Sequence, residues 1–270
     1  MGYASWLYDA IIYIYALSLL FYFSDFMNAS RRAKRIGAGL LIFVWVLQTV
    51  FLVTKLYANI GLPILSTFVY WLAFSWLLVT VSLVISRFFK IDYVVFFVNV
   101  ISFAALALNF YSGTDNGEQY AVGQTTRELL YVHISLVLCA YAALTIGALL
   151  AGMYLFLHNR LKSKRWSQSI RRYPSLDTIE RYADRAVIIG VPLLAMSLAV
   201  AATSLVVEGR LVLLLDWKVL TSFASLIAYI AYIYQRAVNN RPGQQLAKLY
   251  IFAFGMLILN LLTSSFSSFH

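Results

Sequence analysis

Charged residues are scarce in this sequence. Only 12% of its 270 residues are Asp, Glu, Lys or Arg, whereas 62% are hydrophobic, and the mean hydropathy is +0.79. A soluble domain carries about 25% charged residues and about 45–50% apolar ones. The surplus of apolar surface must face lipid rather than water, which excludes a soluble catalytic domain and predicts an integral membrane protein.

Cysteine is nearly absent as well, because Cys139 is the one cysteine in the chain. An intrachain disulfide and a Cys-x-x-Cys redox or zinc motif are therefore excluded. Cys139 lies within an apolar run, where a cysteine most often serves as a small packing residue.

The motifs of common enzyme and transporter sites are also missing. The chain has no glycine-rich phosphate loop, no His-Glu-x-x-His zinc motif and no Gly-x-Ser-x-Gly nucleophile motif. Acidic residues are almost absent from the long apolar runs, although ion and proton pumps usually need ionisable groups within the membrane. We therefore expect a protein that is neither an enzyme nor a pump.

Long apolar runs, in contrast, recur along the whole chain. About 20 apolar residues cross the hydrocarbon core of a bilayer. This length predicts eight transmembrane helices, near residues 6–24, 36–54, 64–86, 93–111, 129–157, 186–207, 217–235 and 246–264. The predicted fold is an all-α, polytopic membrane helix bundle in which residues 1–270 form a single integral membrane domain. No basic region precedes the first apolar run, so that helix is predicted to be retained rather than cleaved.

Positive charge is distributed unevenly among the predicted connections. The net charge is +10, and 17 of the 21 Lys and Arg residues lie in the first, third, fifth and seventh connections. The four on the other side are Lys55, Arg127, Arg210 and Lys218. This positive-inside pattern places the basic loops in the cytosol and both termini outside. The positive charge thus reflects orientation in the lipid bilayer, and we expect no binding of nucleic acid.

The longest cytosolic connection, residues 158–185, has two parts. Its first half is basic and contains one tryptophan, which is typical of a segment that lies on anionic lipid headgroups. In its second half Pro174 ends the preceding structure, and Asp177 with Glu180 fits the N-cap and N3 positions of a new helix. Besides contacting lipid, this loop is a candidate docking site for a cytosolic partner.

Three histidines are available as ligands, namely His133, His158 and His270. The predicted topology places His158 at the cytosolic end of the fifth helix and the other two near the outer boundary. Taken singly, a histidine at a membrane boundary is usually an interfacial residue. Two imidazoles at one depth among apolar side chains, however, suit the axial positions of a haem iron. We therefore predict that His133 and His270 bind a b-type haem at the outer face.

The outer side also carries cations that haem propionates require. Arg127, Arg210 and Lys218 are predicted to lie there, and the latter two belong to the segment EGRLVLLLDWK, residues 208–218. This segment is charged at both ends and apolar in the middle. It fits either an ordinary short connection between helices or a lid along the outer interface. We predict that the three cations contribute to the haem site.

Four segments, in this order, resemble the CcsA-type cytochrome c assembly proteins. They are ELLYVHISLVLCAYAALTIGALL (128–150), SLDTIERYADRAVIIGVPLL (175–194), LDWKVLTSFASLIAYIAYIYQR (215–236) and NLLTSSFSSFH (260–270). The resemblance covers residues 125–270, whereas the N-terminal four helices, residues 1–111, match by hydropathy alone. It implies a membrane protein that handles haem.

The resemblance also assigns residues to a haem site. His133 matches the first outer histidine of the family, and His270 matches the second with an offset of a few residues. The residues that match the end of the family's tryptophan-rich, haem-binding segment are Asp216, Trp217 and Lys218. The family has several tryptophans just before this point, but residues 207–215 contain no aromatic side chain. The degenerate segment and the terminal Ser-Phe-His are similar to the HemX branch of the family.

Membership of the HemX branch implies a regulatory role. The protein would sense or handle haem in a bacterial plasma membrane and restrain glutamyl-tRNA reductase, the first committed enzyme of tetrapyrrole synthesis, by lowering its cellular level. The reductase or a protease adaptor would be the partner at the cytosolic loop, residues 158–185. Two alternatives stay open, which are haem delivery or export in cytochrome c assembly and transport of a hydrophobic solute.

Overall fold

The structure is a computed structural model that describes residues 3–28, 30–58, 67–88, 92–111, 124–163, 174–239 and 241–263. These residues form eight α-helices and one short 3₁₀ helix, with no β-strand in the described ranges. The α-helices are α1 (Tyr3–Asn28), α2 (Arg31–Ala58), α3 (Thr67–Phe88), α4 (Asp92–Tyr111), α5 (Gln124–Lys162), α6 (Leu176–Val207), α7 (Trp217–Ala237) and α8 (Gly243–Thr263). The predicted all-α bundle of about eight helices is confirmed.

The helices have the length and composition of membrane spans. Seven of those in the described residues contain apolar stretches long enough to cross a bilayer, and α4 contains the shorter stretch Tyr93–Leu108. Several helices extend well beyond the predicted spans. The longest, α5, has 39 residues and is therefore about 58 Å long, which exceeds the hydrocarbon core of about 30 Å. The protein is a multi-pass membrane protein whose helix ends project past the lipid core.

The described residues of the predicted cytosolic loop, which are 158–163 and 174–185, are mostly helical. The helix α5 continues to Lys162, and α6 begins at Leu176 and runs without interruption to Val207. The N-cap of α6 is Ser175, whose hydroxyl accepts a hydrogen bond from the Thr178 amide at 3.3 Å. The prediction that Asp177 caps this helix is wrong, because Asp177 lies in the first turn and pairs with Arg181. Serine and aspartate have similar N-cap preferences, so the sequence alone did not separate them.

Contacts between helices divide the chain into two compact units, Met1–Gln119 and Tyr120–His270. In the first unit α1 and α3 each pack against both α2 and α4, so that the four helices form a closed ring. In the second unit α5 and α7 each pack against both α6 and α8 in the same way. Each unit is thus a four-helix bundle. The single membrane domain predicted for residues 1–270 stays a prediction.

The first unit has a hydrogen-bonded polar core. Seven polar side chains of its described residues are fully buried, namely Tyr15, Ser18, Gln48, Ser75, Ser82, Asn99 and Ser102. The Tyr15 hydroxyl donates to Asn99 Oδ1 at 2.9 Å, which joins α1 to α4. The Ser75 hydroxyl lies 2.9 Å from that of Ser102 and accepts from the Gln48 amide at 3.2 Å, which joins α2, α3 and α4. Such bonds hold helices together in lipid, where helix association gains no hydrophobic driving force.

In the second unit, three helices approach closely at Gly147 of α5. A Cβ atom at this position would overlap the Tyr250 hydroxyl of α8 and would lie 2.9 Å from the Ala186 Cβ of α6. The Tyr250 side chain is fully buried and its hydroxyl donates to the Leu144 carbonyl at 3.2 Å. The missing side chain of Gly147 is therefore what allows Tyr250 to fill the centre of the bundle.

The predicted orientation is testable with reporter fusions. Alkaline phosphatase, which is active only outside the cytosol, is expected to be active when fused after the complete chain and inactive when fused after Val238. Green fluorescent protein fused at the same two points is expected to show the reverse pattern. The physical reason is the excess of Lys and Arg in the connections assigned to the cytosol. An active phosphatase after Val238 would contradict this orientation.

Candidate functional site

His133 lies in the third turn of α5, where Ser197 of α6 holds its ring. The Nδ1 atom of His133 lies 2.9 Å from the Ser197 carbonyl oxygen and 2.8 Å from the Ser197 hydroxyl oxygen. A carbonyl oxygen only accepts hydrogen bonds, so the bond to the Ser197 carbonyl forms in the tautomer that carries its proton on Nδ1. In the neutral ring, Nε2 then presents its lone pair. Metal-binding histidines have this arrangement, in which the other ring nitrogen donates to a carbonyl or carboxylate.

Ser197 was not predicted as a site residue. It is fully buried, and its hydroxyl also lies 3.5 Å from the His133 carbonyl oxygen. Ser197 is the one polar side chain in the apolar run that extends over residues 186–202. A single polar residue in such a run is the signal that would have identified it, because buried polar groups in lipid need partners.

Lys218, in the first turn of α7, interacts electrostatically with the His133 ring. The neighbouring Asp216 is the N-cap of α7, and its carboxylate accepts a hydrogen bond from the Lys218 amide at 2.8 Å. This carboxylate also interacts electrostatically with the Lys218 ammonium group. His133 and Lys218, two predicted site residues, thus influence each other electrostatically, and Asp216 has a role in starting the helix that contains Lys218.

Asn260 of α8 fixes the first turn of α7. Its amide nitrogen lies 2.9 Å from the Lys218 carbonyl oxygen, 2.9 Å from the Thr221 hydroxyl and 2.7 Å from the Ser222 hydroxyl. Its Oδ1 atom accepts a hydrogen bond from the Tyr141 hydroxyl of α5 at 3.0 Å. Asn260 is only 5% exposed. It was not predicted, although it is a lone amide in an apolar run and joins three of the four helices of the second unit.

The other predicted site residues have separate positions. Arg210 pairs with Glu208 at 3.5 Å, and the indole of Trp217 is 66% exposed. The backbone of Arg127 belongs to α5, but its side chain is outside the described part of the chain, as is the whole of His270. The convergence of His133 and His270 on one iron therefore stays a prediction.

The segment at residues 208–218 is a compact connection. A turn at Gly209, whose φ of 70° favours glycine, leads into a 3₁₀ helix, Leu211–Leu215, and then directly into α7. The side chains of Val212 and Leu215 are exposed. The connection therefore presents apolar side chains at the outer end of the bundle, beside the turn of α7 that carries Lys218.

Comparisons with known proteins identify the family of the chain. A family model described as Cytochrome C assembly protein matches residues 64–270. Protein HemX of Brevibacillus brevis is 37% identical over 274 residues, which cover 100% of this chain and 99% of that protein. Protein HemX of Bacillus subtilis (strain 168) is 34% identical over 263 residues, which cover 97% and 95% of the two chains. The family match begins before α3, so it extends further toward the N-terminus than the resemblance at 125–270 implied.

Proposed function

The chain belongs to the cytochrome c assembly protein family, and on that premise we propose that it is a HemX-type membrane protein that binds haem and senses or handles it. The observation that carries this proposal is the bond between His133 Nδ1 and the Ser197 carbonyl at 2.9 Å. This bond orients the ring and leaves Nε2 as the atom that would hold the iron. We place the protein in the plasma membrane of a bacterium.

The residues around His133 fit a haem. A bound haem supplies an iron with axial positions and a flat apolar macrocycle that favours an apolar setting. His133 would hold the iron, Ser197 would keep the imidazole in one orientation, and the Lys218 ammonium group would neutralise a propionate. Lys218 interacts electrostatically with His133, which supports its role as the cation of the proposed site. His270 is proposed as the second ligand.

The proposed role is regulatory. We infer, from the resemblance to the HemX branch, that the protein lowers the cellular level of glutamyl-tRNA reductase in response to haem. A sensor of this kind must bind haem more tightly in one conformation than in another, because a ligand shifts a conformational equilibrium only by its differential affinity. The helix ends at Lys162 and Leu176, which the predicted topology places in the cytosol, would then face the reductase or a protease adaptor.

The proposal is tested by adding haemin to detergent-purified protein. We expect a low-spin absorption spectrum with one haem per chain, in both the oxidised and the reduced protein. In cells, deletion of the protein is expected to raise the level of glutamyl-tRNA reductase on immunoblots while c-type cytochromes persist. Protein that takes up no haemin in either redox state would refute haem binding. Loss of all c-type cytochromes at an unchanged reductase level would instead support haem delivery.

A further inference from the structure

An ion-pair cluster lies at the end of the second unit opposite His133. Arg236, in the last turn of α7, pairs with Asp184 of α6 at 2.8 Å and with Glu180, one helical turn earlier on α6. The Tyr232 hydroxyl of α7 donates to Asp184 at 2.7 Å. The carboxylates are 16% and 21% exposed at Asp184 and Glu180, and the guanidinium is 38% exposed. Such shielded ion pairs are screened less than surface pairs, so this cluster ties α6 to α7.

The other two helices of the unit meet at the same cluster. A Cβ atom at Gly243, the first residue of α8, would lie 2.5 Å from Glu180 Oε2 and would overlap the Tyr154 hydroxyl of α5. Gly243 therefore allows the Glu180 carboxylate to approach the N-terminus of α8, where the helix dipole favours negative charge. A small crevice lined by Tyr154, Tyr232 and Leu246 adjoins the carboxylate.

The helix α7 depends on polar contacts at both of its ends. Among the seven long apolar helices of the described residues, its most apolar window is the least buried, at 17%, whereas that of α5 is 56% buried. Its buried residues are Ser225, Tyr229 and Tyr232. At its outer end Asn260 binds the first turn, and at the other end Arg236 binds α6. The position of α7 therefore depends strongly on these two sets of polar contacts, one at each end.

We propose that α7 transmits haem binding at His133 to the cytosolic face. The Arg236–Glu180–Asp184 cluster is the latch in this proposal, and its ion pairs are formed in this structure. The proposal rests on the function proposed above. Lys218 is in the first turn of α7 and interacts electrostatically with His133, so it would hold a propionate of a haem bound by His133 and would couple that haem to the first turn. The helix has 21 residues and is about 32 Å long, so a displacement of its first turn reaches Arg236. Rigid helices with two discrete arrangements transmit coupling in this way.

The experiment measures the distance between α6 and α7 in the full chain, reconstituted in nanodiscs. Spin labels are attached at Ile188→Cys on α6 and Tyr234→Cys on α7, which are both exposed, after the exposed Cys139 has been replaced by alanine. Addition of haemin is expected to shift the distance distribution measured by pulsed electron resonance. In His133→Ala the same addition is expected to leave the distribution unchanged.

Latch variants make the test independent of haem addition. Without haemin, Arg236→Gln is expected to shift the distribution toward that of haemin-loaded protein and, by linkage, to change the dissociation constant for haemin by about 5-fold or more. Tyr232→Phe keeps the packed ring and removes one hydrogen bond to Asp184, so a smaller shift in the same direction is expected. The matched control is Arg241→Gln, which removes an equal charge from an exposed arginine bonded to Gln245.

The outcomes separate the two proposals. One outcome is a normal haem spectrum with a constant label distance, in which Arg236→Gln gives the same result as Arg241→Gln. This outcome would overturn the role of α7 and leave haem binding intact. A wild-type protein without any haem spectrum would overturn the proposed function, and the coupling proposal with it. A haemin-dependent shift that Arg236→Gln mimics would support both.

Discussion

Substitution of His133 by alanine is expected to lower the affinity for haemin at least about 100-fold, so that no low-spin spectrum forms at stoichiometric haemin. The reason is the loss of the axial nitrogen that the Ser197 carbonyl orients through Nδ1. Changes to partners of a metal ligand typically cost 10–100-fold in affinity, and removal of the ligand itself costs more. The measurement is an absorption titration of purified protein with haemin.

Two variants control for general damage to the site. His158→Ala removes an imidazole whose ring stacks on Tyr154 with centroids 6.0 Å apart, at the predicted cytosolic end of α5, and is expected to bind haemin normally. Ser197→Ala keeps the backbone carbonyl and removes only the hydroxyl that lies 2.8 Å from Nδ1, so a loss near the lower end of the 10–100-fold range is expected. Unchanged binding in His133→Ala would remove this histidine from the site.

Replacement of Gly147 by alanine is expected to destabilise the second unit by about 1–3 kcal/mol, the usual cost of overpacking a filled core. The added methyl group would overlap the Tyr250 hydroxyl and crowd Ala186. The Tyr250 ring has little freedom to move aside, because it is fully buried and packs edge-on against Tyr229 and Tyr232 with centroids 5.5 and 5.4 Å away. The measurement is the unfolding midpoint of purified protein in mixed detergent with increasing sodium dodecyl sulfate.

The same helix offers a matched control. A Cβ atom at Gly152 would meet no atom within 4 Å, so Gly152→Ala is expected to stabilise the protein by about 0.5–1 kcal/mol through its lower backbone entropy in the unfolded chain. The two variants make the same chemical change on α5 and are expected to have opposite signs. Equal stability of the two variants would show that the contact at Gly147 is not tight.

The helices were predictable from hydropathy because each apolar run must cross the bilayer as a helix. The ends of the helices were not predictable from hydropathy. A helix continues past the lipid wherever water and neighbouring side chains form hydrogen bonds or ion pairs with its charged residues. Glu180 and Asp184 illustrate this point. They were assigned to the cytosolic connection, in a segment predicted to start a helix, and α6 in fact runs from Leu176 to Val207 without a break, so that both carboxylates lie on a membrane-spanning helix and pair with Arg236.

The candidate site was predictable only in part. His133 stood out because it is a histidine predicted to lie at the outer membrane boundary. Lys218 stood out because it is one of only four Lys and Arg residues predicted to lie on the outer side. Ser197 and Asn260 were not identified from the sequence. Hydropathy does not specify how a helix is rotated about its axis, so it does not indicate which neighbour a polar side chain contacts. Arg210 was chosen by its charge, but its partner in the structure is Glu208, two residues away. The assignment of His270 depends on its predicted depth and on a resemblance, and it stays a prediction.

The shared polar core of the first unit has a consequence for synthesis of the chain. Helices leave the translocon one after another, so α1 enters lipid with the Tyr15 hydroxyl before its acceptor Asn99 on α4 has been made. An unsatisfied polar group in the hydrocarbon region costs several kcal/mol. The bonds that Tyr15 and Ser75 make with α4 form only once that helix arrives, and a chain arrested earlier exposes these polar groups within the membrane to chaperones and quality-control proteases.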